Sequence, residues 1–238
     1  MSTGSSDGDP RPSPNLWHTP DLYELECQAF DPDGLVDQAI RSVADWAGRD
    51  VVDVGCGSGF LLPRFATTAR SVVGVEPHQA LRAIAVRRTR RLANVSLRDG
   101  LASDLPLPGA AADLVHARWA YFFGPGCEPG LAELDRVLRP GGAAFVVDND
   151  LTRSTFGAWF RRGFPAVDPV AVERFWAARD WRRIPVLTSW RFDRREDLEA
   201  VVRIELPPAA ADAALAAHSG TTVDYAVNVW WWRGGFPR

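Results

Sequence analysis

The sequence contains no lysine: all 27 of its basic side chains are arginine. Against 30 Asp and Glu they leave a formal net charge of −3, which excludes a chain built as a whole to coat nucleic acid. Cysteine is scarce too. Cys27, Cys56 and Cys127 show no C-x-x-C spacing, so neither a disulfide framework nor a metal site is expected, and a reducing cytoplasm is the simplest setting. No apolar run is long enough to cross a bilayer and no charged-then-apolar leader is found, so no membrane association is expected. Internal repeats and interior linkers are absent, which favours one domain. The first fourteen residues, MSTGSSDGDPRPSP, are almost all Ser, Gly, Asp and Pro and are expected to form a disordered tail (1–14).

What is present is a regular alternation. Residues 15–48 read as an N-terminal helical cap, with Leu35, Ile40, Val43 and Trp46 on one face and Gly48 ending the run. Short β-rich runs (DVVDVG, SVVGVEP, NVSLRDG, ADLVHARW, GGAAFVVDND) then alternate with helical patterns such as QALRAIAVRRTRRLA and GLAELDRVL. Buried strands separated by helices predict a parallel sheet covered on both faces, an α/β architecture. After Asp150 the chain becomes rich in aromatics, most densely over about 151–190, and VDYAVNVWWW reads as a last strand that adds an antiparallel pair at the sheet edge. Residues 49–238 are thus expected to form one sheet-based domain.

The stretch VVDVGCGSGF (Val51–Phe60) sets Gly55, Gly57 and Gly59 where the first strand gives way to a helix. Glycine there permits positive φ and lets a ligand touch the main chain. The helix N-terminus adds free N–H groups suited to an anionic or polar ligand. Asp53 stands just before the loop, and Glu76 closes the second strand. A carboxylate at that tip is placed to accept hydrogen bonds from both hydroxyls of a ribose and would repel a 2′-phosphate. Phe60 occupies the position where the dinucleotide fingerprint needs Gly or Ala, which opposes a nicotinamide oxidoreductase. A nucleoside-containing ligand is the expectation.

These residues carry a resemblance. VVDVGCGSGF, with Asp53 leading Gly55-Cys56-Gly57-Ser58-Gly59, resembles motif I of the class I S-adenosylmethionine-dependent methyltransferases. VVGVEP is similar to their second-strand acidic motif, LASDLPLPGAAADLVHARW to the run into the fourth strand, and ELDRVLRPGGAAFVV to the helix, turn and fifth strand of the small-molecule (type 11-like) branch. The resemblance implies a Rossmann-like, doubly wound seven-stranded sheet of order 3-2-1-4-5-7-6 with strand 7 antiparallel and helices on both faces. It implies S-adenosyl-L-methionine as cofactor, S-adenosyl-L-homocysteine as product, and in-line methyl transfer to a small-molecule acceptor by a monomer or homodimer. Carried over, Asp53, Gly55, Cys56 and Gly57 would hold the methionine moiety, Glu76 the ribose, and Pro77, Leu101, Ala102 and the chain at Ala117 the rest of the cofactor. Tyr23 would close over it from the first helix, with Glu26 beside it. The sequence departs from the family at Leu101, where an acidic residue commonly bonds the adenine amino group. Asp99 two residues earlier, or the Ala102 N–H, would have to replace it. The alternative is a protein of the same fold that binds the cofactor without turnover.

Methyl transfer demands alignment and exclusion of water more than a fixed catalytic motif. His116, near the end of strand four, is a candidate base or acceptor contact, against a packed strand histidine. Arg118 would pair with a substrate or cofactor carboxylate, against a surface arginine. The loop AYFFGPG with the preceding Trp119 offers Trp119, Tyr121 and Phe122 as acceptor contacts, against core filling, and Asn149 joins them from the end of strand five. Asp148 and Asp150 flank Asn149 in a D-x-D without a third ligand, so substrate contact or capping of the next helix is favoured over metal binding. RRTRR (Arg87–Arg91) spreads around a helix and reads as solvated surface. No N-P-P-Y or D-P-P-Y tetrad follows strand four, which again argues against a nucleic-acid substrate.

Overall fold

The computed structural model describes residues 18–121 and 124–234, so the proposed tail at 1–14 and Phe122 lie outside the described residues. Two helices precede the sheet, α1 (Pro20–Ala29) and α2 (Leu35–Val43). There follow β1 (Asp50–Val54), α3 (Leu62–Ala66), β2 (Ser71–Val75), α4 (Gln79–Thr89), β3 (Val95–Arg98), β4 (Ala112–Arg118), α5 (Glu128–Val137) and β5 (Leu138–Asn149). The chain continues through α6 (Thr155–Gly163), α7 (Pro169–Ala177), β6 (Arg182–Arg191), α8 (Arg195–Glu205), α9 (Pro208–Ala217) and β7 (Thr222–Arg233). The seven strands form one sheet of order β3-β2-β1-β4-β5-β7-β6, with β7 antiparallel to both neighbours, as the resemblance implied.

The valine-rich strands are buried on both faces, and alternation of side chains sorts them into two cores. Val51, Leu114, Phe145, Val147 and Val229 face one layer, with α1–α4, α6, α8 and α9. Val52, Val115, Val146 and Trp230 face the other, with α5 and α7. Ten tryptophans are thereby mostly explained as core. Trp190 packs at a tilt against Phe156 (4.5 Å between centroids) and Tyr225 (4.8 Å) on the first face, and Trp176 meets Trp181 (4.9 Å) and Trp230 (5.6 Å) on the second.

The cap helix stops earlier than its hydrophobic pattern suggested. After Val43, Ala44 is extended, because the Asp45 carboxylate accepts the Ala47 N–H (3.1 Å) and offers the chain a local turn in place of another helical one. Trp46 still reaches the core from outside the helix, fully buried against Phe65.

Order reverses between β1 and β4, and a crevice opens at that switch point beyond the carboxyl ends of the strands. The opposite edge is closed by charge: Asp50 and Asp113 pair with Arg70 and Arg139, tying β1, β2, β4 and β5. Hydrogen bonds from Arg70, Ser71 and Arg139 hold the Asp50 carboxyl well below the usual carboxylate range despite partial desolvation.

Candidate functional site

The loop after β1 is bare backbone for two separate reasons. Gly55, Gly57 and Gly59 all adopt positive φ (67°, 56° and 75°), a region costly for other residues. A Cβ on Gly55 would also stand 2.8 Å from the Ala120 Cβ, and one on Gly59 2.8 Å from the Ala85 Cβ of α4. The loop is fixed to β2 because the Gly55 and Cys56 N–H groups both donate to the Val75 carbonyl (2.9 and 3.1 Å). Cys56 turns its thiol toward Gly74 and Leu62, so it meets the cleft only through its main chain.

Glu76, at the tip of β2, is buried. Its Oε2 accepts the Gly57 N–H and its Oε1 the His78 N–H, each at 2.9 Å. Burial raises its pKa while the two N–H donors oppose the rise. Glu76 therefore orders the glycine loop as well as presenting a carboxylate to it. Asp53 and His116 are direct partners in the β1–β4 register, and His116 Nδ1 lies 2.8 Å from Asp53 Oδ1. Both are buried, and the His116 ring packs on Phe65 at 5.2 Å. His116 thus sits in the core, holding Asp53 toward the loop. The residues that line the cleft beside Asp53 do not include it.

Arg118 is not the surface arginine that was one alternative. It leaves β4 under α1, where its Nη2 donates to Cys27 Sγ (3.3 Å) and its guanidinium lies 4.7 Å from the Trp119 ring centroid. Burial opposes its charge, but Cys27, Tyr23, Asp53 and Glu26 outweigh that and raise its pKa. Tyr23, Asp53, Gly55 and Arg118 line one cleft between α1 and the glycine loop. Glu26, 3% exposed, is driven well above the usual carboxylate range by burial and then by Glu205, against the opposing Arg118. Its neutral form is the one the fold favours, so its contribution is complete below about pH 4.3, the unfolded value, and is lost as pH rises through the folded one. Glu26→Gln is therefore expected to gain stability relative to the parent between pH 5 and pH 8, followed by urea unfolding at both; a pH-independent difference would rule this out.

Beyond Glu76 lies Asp99, two residues before Leu101. It is exposed and engaged by Arg82 (both contacts 3.1 Å), which also donates to the Glu76 and Pro77 carbonyls (2.8 and 3.2 Å). Leu101 and Ala102 lie in a turn closed by the Asp104 N–H on the Leu101 carbonyl (3.2 Å). Ala117 turns its side chain into the core and pairs with Val54 and Val146, so only its main chain is available to a ligand.

The aromatic residues after β4 diverge. Trp119 takes a positive φ of 53°, rare for a bulky side chain, and donates from Nε1 to Asn149 Oδ1 (2.9 Å). Asn149 Oδ1 also accepts the Tyr225 hydroxyl (2.7 Å), and Phe30 stands 5.1 and 5.2 Å from the Trp119 and Tyr225 rings. Tyr121 does not join them. Its ring enters the opposite core against Gly130, whose missing side chain makes the room. Asp150 is taken by Thr152 and Arg153 and so terminates the strand. Among the described residues no cluster of His, Cys, Asp or Glu is arranged to hold a metal.

Sequence reasoning missed a clamp on the cap. Arg88 of RRTRR is half-buried and pairs with Glu24 of α1 while donating to the Ser58 carbonyl (3.0 Å), and Ser58 Oγ bonds Glu24 as well. A charge run gives no sign that one member faces inward. Tyr225 and Phe30, distant in sequence from every motif, were missed for the same reason.

Comparison with known proteins agrees with this geometry. The family model described as a methyltransferase domain matches residues 52–146. The chain is 34% identical over 116 residues to a 2-phytyl-1,4-naphtoquinone methyltransferase of Synechococcus elongatus, covering 46% of this chain and 50% of that protein. It is 30% identical over 125 residues to a ubiquinone/menaquinone biosynthesis C-methyltransferase of Rubrivivax gelatinosus, covering 52% and 47%. The chain thus spans about half the length of the curated relatives it matches. Among solved structures, the YcgJ protein of Bacillus subtilis superposes with a TM-score of 0.63 over 86% of this chain and 100% of that one, at 15% identity, a likeness of fold.

Proposed function

We propose that this chain, which carries a class I S-adenosylmethionine-dependent methyltransferase domain, transfers a methyl group from S-adenosylmethionine to a small ring-bearing acceptor. The observation that carries the reading is Glu76: a buried carboxylate at the tip of β2, bonded to Gly57 inside a loop of three positive-φ glycines. Those residues fit the cofactor. Glu76 would hold the ribose hydroxyls, the Gly55–Gly57 main chain and Asp53 the methionine moiety, Pro77 and Leu101 the adenine faces, and the Ala102 main chain its edge. When bound, the cofactor supplies a methyl carbon activated by its sulfonium. The protein's own part is orientation and dryness. The α1 helix, clamped through Glu24, Arg88 and Ser58, would exclude water over the loop. Trp119, Asn149, Tyr225 and Phe30 would form the acceptor wall, with Trp119 fixed by its hydrogen bond to Asn149. A flat, largely apolar acceptor suits that wall, and the names of the two quinone methyltransferases support the same class. Residues 15–48 are read as the cap, 49–238 as the methyltransferase domain, and the protein as a cytoplasmic monomer or homodimer. No helix among the described residues is long and apolar enough to cross a membrane.

Calorimetric titration with S-adenosylmethionine, S-adenosylhomocysteine and NAD tests the cofactor, followed by a screen of phenols and quinols with labelled methyl donor. Binding of the first two alone, with label transferred, is the expected result. Binding without transfer to any acceptor would favour a sensing or scaffold protein. NAD binding would overturn the reading.

A further inference from the structure

On the α7 side of the sheet, away from the glycine loop, a small cavity lies between that helix and the ends of β5 and β7. Its volume is about 20 Å³, room for one oxygen-sized group. Asn228 and Trp230 line it from β7, two residues apart and therefore on one face of the strand. Both are buried, at 7% and 2% exposure, yet Asn228 Oδ1 and Trp230 Nε1 have no hydrogen-bond partner among the described residues. A buried polar atom left unmet is costly, and most protein cores avoid it. Val146, directly opposite Trp230 on β5, shows that this face accepts an apolar side chain. One acceptor and one donor lining a space of this size complement a group that both donates and accepts, which is a hydroxyl. A carbonyl would satisfy Trp230 alone and an ammonium Asn228 alone. Asp148 stands opposite Asn228 in the β5–β7 register and Glu173 lines the cavity from α7, so carboxyl groups flank it and an anion is disfavoured.

We propose that Asn228 and Trp230 form a subsite that receives one un-ionised hydroxyl of the methyl acceptor, so that the substrate class is a hydroxylated ring rather than a hydrocarbon or fully oxidised one. The inference rests on the methyltransferase reading above and narrows its acceptor. Asn149 joins the two sites: its Oδ1 holds Trp119 and Tyr225 in the acceptor wall, and the residue also lines this cavity. A ring held at that wall has the cavity at its edge. The donor is fixed before the ligand arrives, because Trp176 stacks on Trp230 at 5.6 Å and 17° and the Arg183 guanidinium lies 5.9 Å from the same ring. Arg183 also pairs with Glu173 (3.3 Å), and these two partly exposed side chains bound the cavity toward solvent. Asn228 and Trp230 determine specificity only: the hydroxyl keeps its proton, and no bond is made or broken in the cavity.

The test is equilibrium dialysis of the full chain and of the Asn228→Leu and Trp230→Phe variants at neutral pH, with S-adenosylhomocysteine present in excess. The probes are 2-naphthol and naphthalene, which differ by the hydroxyl alone. The parent should bind 2-naphthol more tightly than naphthalene by at least about 3- to 10-fold, the range of one neutral hydrogen bond. Each variant should lose most of that preference, chiefly by binding 2-naphthol more weakly. Equal affinity of the parent for the two probes would overturn the proposal and leave the cavity to solvent. So would a preference that survives in a folded Asn228→Leu, and so would an equal loss for both probes, which would make the pair structural. Should Asn228→Leu fail to fold, Trp230→Phe decides, since it keeps an aromatic ring against Trp176 and removes only the donor. Calorimetric titration with S-adenosylhomocysteine separates the two readings. If the parent does not bind it, the methyltransferase reading falls, and this inference with it. If it binds while the probes are not distinguished, only the subsite is lost.

Discussion

Glu76→Ala is expected to lose cofactor binding by about 1–3 kcal/mol and to unsettle the loop that binds it. The two effects share one cause. The carboxylate serves the Gly57 and His78 N–H groups at 2.9 Å each, and removing it strands the buried Gly57 donor and releases the half-buried one of His78. An unsatisfied buried donor costs about 1–3 kcal/mol, so a stability loss should accompany the affinity loss. Glu76→Gln is a sharper probe, since it keeps the volume but turns an N–H₂ toward one of the two donors. It too should bind the cofactor more weakly. Calorimetry and urea midpoints on the same samples separate the two effects. A folded alanine variant with parental affinity would remove Glu76 from the ribose site and leave it a loop anchor only.

Trp190→Ala should be the most damaging single truncation in the aromatic layer. Trp190 is 0% exposed and touches Phe156, Tyr225 and Phe192, with ring centroids between 4.5 and 6.0 Å away. Emptying such a site costs about 3–5 kcal/mol. That is a large share of the roughly 5–15 kcal/mol that holds a domain together. At about 2–4 °C per kcal/mol for a chain of this size, the melting temperature should fall by on the order of 10 °C. The indole Nε1 has no hydrogen-bond partner, so Trp190→Phe forfeits packing alone and should cost much less. The cavity would also free Tyr225, which holds Asn149 and through it Trp119, so acceptor selectivity should loosen even in the milder variant. Differential scanning calorimetry checks the first claim. A melting temperature unchanged by the alanine would mean that the aromatic layer bears little of the stability.

The boundary between what was legible and what was not follows interaction range. Strand and helix order, the glycine loop and the positions of Asp53 and Glu76 could be read because each depends on neighbours a few residues away. The side-chain alternation of a strand and the positive φ of Gly55, Gly57 and Gly59 are local properties. Helix ends were less well placed, since Ala44 leaves α2 through a turn made by the Asp45 side chain rather than through a Gly or Pro.

The sequence by itself determined that a glycine loop would follow β1 and that Glu76 would close β2 beside it. Only the tertiary structure decided what surrounds that loop. His116 reaches Asp53 across 63 residues because β4 lies beside β1, and Arg118 meets Cys27 across 91 because α1 folds over the sheet edge. Trp119 and Tyr121, two residues apart, went to opposite cores because Trp119 leaves the strand with a positive φ and Gly130 left room only for Tyr121. No local rule contains those outcomes: each depends on which strand is neighbour to which and on the space a distant residue leaves empty.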